Sequence, residues 1–145
     1  MDLILWRHAD AEAGGDDLAR PLTAKGREDA TRVAEWLLAR LPSKFSVVAS
    51  PAVRAQQTAG ALKVKADSSK ILSPGASVDA ILKAAGWPRQ RGTVVIVGHQ
   101  PDLGRAVAHL VAGVRSEWHI EKGGFWWLSG EAPVAVRAVL SPDLL

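Results

Sequence analysis

The stretch LILWRHADAEA, residues 3–13, runs through four apolar residues and then turns abruptly to Arg7 and His8. A short apolar run that ends in polar residues reads as a buried strand. A guanidinium and an imidazole at the end of such a strand are costly to desolvate unless something uses them. What uses them has to come from the rest of the chain.

Working outward, helix and strand patterns alternate. TAKGREDATRVAEWLLARL (23–41) places Val33, Trp36, Leu37 and Leu41 at helical spacing, with Thr23 as the expected N-cap. FSVVAS (45–50) reads as a second strand. It is followed by a helix in PAVRAQQTAGAL (51–62), with Pro51 expected in the first turn. SVDAILKAAGW (77–87) predicts a short helix, TVVIVGH (93–99) a buried β-branched strand, and PDLGRAVAHLVAG (101–113) another helix. GGFWWLSG (123–130) and PVAVRAVLS (133–141) predict two strands joined by a tight turn through Gly130 to Pro133. KADSSKILSPGAS (65–77) is the least regular stretch and is too short for an interdomain linker. The pattern predicts an α/β fold, a three-layer α/β/α sandwich whose sheet is mainly parallel with an antiparallel C-terminal edge.

Composition bounds the chemistry. The 145 residues, 48% of them hydrophobic, suit one domain over residues 1–145 with a substantial core. Without cysteine there is no disulfide framework, thiolate nucleophile or cysteine-based zinc site. The net charge of +3 is spread evenly. Residues 1–73 carry eleven basic and nine acidic side chains, and residues 74–145 carry seven and six. No basic block forms, and the aromatic residues are not interleaved with basic ones, so no nucleic-acid partner is expected. No apolar stretch reaches the roughly 18 residues of a membrane span, so no membrane partner is expected either. The first strand starts within two residues of Met1, without the pattern of a secretory signal, which makes the cytoplasm the expected location.

In open α/β sheets, ligands bind beyond the carboxyl ends of the parallel strands. Three polar strand endings meet there. The first strand delivers Arg7 and His8, the second Ser50 and then Arg54 from the following helix, and the later one Gly98 and His99. Two arginines, two histidines and a helix N-terminus describe a site for a tetrahedral dianion. Arginine forks can grip the peripheral oxygens of a phosphoryl group while the phosphorus stays open to attack. A neutral imidazole is a competent nucleophile toward it, provided its other ring nitrogen is held by an acceptor, most simply a backbone carbonyl just after the strand. Metal is not expected, because arginines beside both histidines repel a cation.

These residues also carry a resemblance. LWRHADAE resembles the RHG signature of the histidine phosphatase superfamily, RPLTAKG its LTxxG segment, ASPAVRAQQTA its SPxxRAxQTA segment and VIVGHQPDL its second-histidine motif. Each is weak alone, but four in the right order are specific. The absence of a long helical insertion between Arg54 and His99, together with RPLT, resembles the short SixA type, the bacterial phosphohistidine phosphatases. The resemblance implies a phosphoglycerate mutase-like fold and no cofactor. It casts His8 as a transiently phosphorylated nucleophile, and Arg7, Arg54 and His99 as the clamp on the phosphoryl oxygens. Arg20 becomes a substrate contact at the rim. Ala9 stands where the signature has glycine, and the glutamate acid of larger relatives has no counterpart. Asp10 is the nearest candidate for that acid, although neighbouring cations lower its pKa.

Other readings stand beside these. Ser50 is expected to cap the helix that follows it, with phosphate contact as a second role. His109 and His119 have no motif partner and read as surface positions, and Trp36, Trp126 and Trp127 as packing residues. The implied partner is a phosphorylated protein such as a histidine phosphotransfer domain, or a small phosphorylated substrate. The alternatives are a small-molecule phosphomonoesterase or mutase on the same core, and a phosphate- or phosphopeptide-binding module without turnover.

Overall fold

Strand β1 (Asp2–Arg7) owes its place at the heart of the protein to alternation. Leu3 and Leu5 point to one face of the sheet, Ile4 and Trp6 to the other, and all four are fully buried. A strand that is apolar on both sides needs a layer of helices on each.

The computed structural model describes residues 1–145 and supplies both layers. The chain continues through α1 (Ala24–Leu38), β2 (Ser46–Ala49), α2 (Val53–Gly60), β3 (Asp67–Ser68) and α3 (Val78–Ala85). It then forms β4 (Thr93–Gly98), α4 (Asp102–Ala112), β5 (Phe125–Ser129) and β6 (Ala135–Leu140). The six strands lie in the order β3-β2-β4-β1-β5-β6. The first four of these are mutually parallel, and β5 and β6 add an antiparallel edge. Ile4, Trp6, Val95 and Val97 pack under α1 and α2 through Val33, Leu37, Ala55 and Ala59. Leu3, Leu5, Val94 and Ile96 pack under α3 and α4 through Ile81, Leu103 and Val107. The expected three-layer sandwich is what the chain builds.

The helices start and stop where the sequence directs. Thr23 caps α1, its hydroxyl accepting from the Gly26 amide at 2.9 Å, and Ser77 caps α3 by accepting from Ala80 at 3.1 Å. The helices α3 and α4 end on Gly86 and Gly113, whose φ values of 68° and 66° suit glycine best.

One local expectation needs correction. Pro51 lies before the N-cap Ala52, outside α2, because Ser50 first turns the chain by accepting from the Ala52 amide at 3.2 Å. The irregular 65–77 stretch contributes the two-residue edge strand β3 and a 3-10 turn at Lys70–Leu72. No alternation can announce a two-residue strand. No helix is long and apolar enough to cross a membrane.

The topology also creates the crevice. The neighbours β1 and β4 run side by side, yet the chain leaves β1 for α1 on one face and β4 for α4 on the other. Their carboxyl ends therefore open a gap at a topological switch point.

Candidate active site

His8 is the first residue beyond β1, and its amide donates to Gly98 O at the end of β4 (3.0 Å), so the two strand ends are tied together. Ser50 follows β2 and donates its amide to Val97 O (3.0 Å), bringing the third ending alongside. Thr58 wires α2 to the same place. Its hydroxyl accepts from the Ala9 amide at 3.1 Å and donates to Arg54 O at 2.8 Å. Arg7, His8, Arg54 and His99 consequently line one cavity of about 290 Å³, together with Ala11, Asp17, Arg20, Pro74, Gln100 and Lys122.

The tautomer of His8 is set by its neighbour. Its Nδ1 lies 2.7 Å from Ala9 O, and a carbonyl can only accept, so the proton sits on Nδ1 and the lone pair is left on Nε2. A carbonyl supplies this contact whatever the side chain, so Ala9 in the glycine position of the signature preserves it. Burial pushes the His8 pKa down to about 4 despite the Ala9 contact, and Arg54 and Arg7 push the same way. The ring is neutral near pH 7.

His99 faces His8 with ring centroids 5.2 Å apart. Its Nε2 meets Ser50 Oγ at 2.8 Å, and its Nδ1 lies 3.5 Å from Arg54 Nη2. A guanidinium can only donate, so Nδ1 is bare and Nε2 carries the proton toward Ser50. Burial, then the neighbouring His8 and Arg54, lower its pKa to about 3. Ser50 is thus not the helix cap expected of it. Its hydroxyl is committed to the Ala52 amide and to His99, and the N-cap position falls to Ala52.

The arginines are held but not saturated. Arg7 donates Nη1 to Ile120 O at 2.8 Å, and Arg54, 3% exposed, donates Nη1 to Asp17 O at 2.6 Å. The Nε atoms of both are buried with no hydrogen-bond partner. Such unpaired donors are a cost the fold carries, while the two guanidinium groups line the cavity as positive charge suited to an anion.

Arg20 lies at the cavity wall, as expected, with Nη1 on Glu12 O (2.9 Å) and Nε and Nη2 on Asp17 Oδ1 (3.2 and 3.1 Å). Asp10 is not among the lining residues. Its carboxylate turns to the Thr23 hydroxyl (2.8 Å) and Lys122 Nζ (3.1 Å), and those two contacts hold its pKa below the usual carboxylate range. Gln100 does line the cavity, but both ends of its amide are occupied, by the Gly104 amide (2.7 Å) and Trp118 O (2.9 Å).

Sequence reasoning missed Asp17 and Lys122. Asp17 sits in an acidic, glycine-flanked segment with no periodicity, and only its position three residues before Arg20 hints at pairing. Lys122 reaches the site from 112 residues beyond Asp10, a separation no local pattern reveals. His109 and His119 are exposed, as expected of histidines without a motif partner, and His119 Nε2 lies 3.3 Å from Glu121 Oε1.

Residues 3–75 match the family model of the histidine phosphatase superfamily (branch 1). An uncharacterized protein of Picosynechococcus sp. is 36% identical over 115 residues, 72% of this chain and 69% of that protein. The phosphohistidine phosphatase SixA of Escherichia coli K12 is 29% identical over 122 residues, 78% of this chain and 76% of SixA. Among solved structures, SixA from Nakamurella multipartitia superposes with a TM-score of 0.83 at 31% identity, covering 97% of this chain and 95% of that one. The protein histidine phosphatase SixA in complex with tungstate superposes with a TM-score of 0.87 over 99% of both chains, at 22% identity, and so speaks for the fold. With these likenesses and four motifs gathered at one crevice, the chain belongs to the histidine phosphatase superfamily, branch 1, in its short SixA-type form.

Proposed function

We propose that the protein is a metal-independent phosphatase that hydrolyses phosphohistidine on a protein substrate through a transient phosphohistidine on His8. The observation that carries the reading is the state of His8. Its Nδ1 proton is fixed by Ala9 O, its Nε2 lone pair is free, and two arginines line the cavity around it.

In the proposed first step, His8 Nε2 attacks phosphorus. The bond from phosphorus to the leaving group breaks, and the leaving group departs with its electron pair. Arg7 and Arg54 hold the peripheral oxygens, where the charge spreads in the transition state, and His99 joins the clamp only as the imidazolium, when the incoming dianion lets Nδ1 take up a proton. Water then attacks phospho-His8, releasing phosphate and returning the neutral imidazole. Cations surround the nucleophile, so the oxyanion charge is met by guanidinium groups and no metal is invoked.

The proton inventory favours a P–N bond. Asp10 and Asp17, the carboxylates hydrogen-bonded to cations that line the cavity, hold pKa values below the usual range. Neither is a ready proton donor near pH 7. A leaving imidazole that is already protonated needs none, whereas an alkoxide does. The segment between α2 and β4 contains only β3, a 3-10 turn and α3, which leaves little chain to cover and reorient an intermediate, as a mutase requires. Both apolar layers share one sheet, which supports reading residues 1–145 as one domain.

The test is kcat/KM for phosphohistidine and phosphoserine presented on the same phosphotransfer domain. The phosphohistidine form is expected to be cleaved the faster. Equal or faster cleavage of the serine ester would overturn the substrate assignment and leave the His8 chemistry standing.

A further inference from the structure

Asp17 faces the cavity, is ionised, and has no part in the steps just described. Its carboxylate bridges two of the cations the reaction needs. Oδ2 lies 3.3 Å from Arg54 Nη2, Oδ1 accepts from Arg20, and its backbone oxygen takes Arg54 Nη1 at 2.6 Å. We propose that Asp17 is an internal competitor for Arg54 and Arg20, displaced when a phosphoryl group enters and returning as the product phosphate leaves. This rests on the phosphoryl site proposed above and adds a means of keeping its hold on product weak.

The asymmetry of the pair supports displacement. The Arg54 side chain is 4% exposed and anchored in α2, while that of Asp17 is 60% exposed. Asp17 opens a 3-10 turn, Asp17–Ala19, that buries no residue, so moving it opens no core. Upstream, Gly14 and Gly15 adopt φ of 82° and 71° with open space around both, which leaves the segment free of side-chain constraint. A carboxylate on an exposed turn, set against the buried Arg54 guanidinium, offers the same charge-assisted contacts that a phosphoryl oxygen makes.

The consequence is a tempered hold on oxyanions. Any phosphoryl group, free or carrier-borne, must displace Asp17 from the two cations and is bound the more weakly for it. After hydrolysis, the return of Asp17 to Arg54 favours release of the product phosphate.

The experiment is calorimetric titration of tungstate into the full chain and into Asp17→Asn, which keeps the backbone carbonyl and nearly the same shape. An exposed ion pair is worth up to about 1 kcal/mol, so Asp17→Asn is expected to bind tungstate more tightly, by up to about fivefold. In the Arg54→Ala background that gain should shrink, because the contested cation is gone. Unchanged or weaker binding by Asp17→Asn, or a gain undiminished by Arg54→Ala, would overturn the competitor role alone. Failure of both the parent and Asp17→Asn to bind tungstate would instead sink the phosphoryl site on which the inference rests.

Discussion

Gly26, the last residue of RPLTAKG, lies within α1, where alanine ordinarily favours the helix by up to about 1 kcal/mol. The structure reverses that sign. A Cβ built on Gly26 would sit 2.0 Å from Asp10 O and 3.0 Å from its carbonyl carbon. The obstacle is backbone, so it cannot rotate away. That same oxygen accepts from the Thr23 amide at 3.0 Å, and Asp10 is two residues from His8. Overpacking of this kind costs about 1–3 kcal/mol. Taking the upper end and subtracting the helix gain leaves Gly26→Ala destabilised by about 2 kcal/mol. At roughly 4 °C per kcal/mol for a chain of this size, Tm should fall by about 8 °C. Urea and thermal melts of Gly26→Ala should be run beside Gly60→Ala, whose added methyl meets nothing within 4 Å at the end of α2. The control should hold or gain stability. A Gly26→Ala protein that melts at or above the parent would refute the close approach as the reason for glycine in this motif.

Arg54→Ala should lower kcat by about 100- to 1000-fold, the worth of one transition-state donor of about 2.7–4 kcal/mol, while Tm moves far less; a large Tm shift with unchanged kcat would make Arg54 structural. Ser50→Ala strips the partner from His99 Nε2 and should cost about 1–3 kcal/mol of stability as well as activity, measured on one preparation; a neutral result would show the contact idle. His8 and His99 titrate near 4 and 3 when folded but near 6.5 when unfolded, so between those values the unfolded chain binds more protons and stability is lost as pH falls below about 6.5. Urea midpoints should therefore drop from pH 7 to pH 5, and a flat profile would contradict the buried neutral rings. Asp10→Asn should leave the ratio of phosphohistidine to phosphoserine cleavage unchanged, because Asp10 does not line the cavity; a selective loss on the ester would restore it as the acid.

The layered fold was legible because β1 and β4 are apolar on both faces and the helices carry clean periodicity and caps at Thr23 and Ser77. Arg7, His8, Arg54 and His99 were legible because each stands at or just beyond a strand end that the topology brings to one crevice. What escaped depends on tertiary geometry. Whether Ser50 caps a helix or holds His99 is decided by the register of β2 against β4, which sets Ser50 beside Val97. Asp10 lies two residues from His8, yet the approach of α1 and Lys122 turns its carboxylate aside. Asp17 carries no motif, because its partner Arg54 lies 37 residues away.

Rapid-quench trapping with a phosphorus-labelled substrate tests the proposed role of His8 most directly. The label is expected on His8, stable to base and labile to acid, and absent from His8→Ala, which keeps its fold but loses turnover. Label on any other residue, or full activity in His8→Ala, would contradict it.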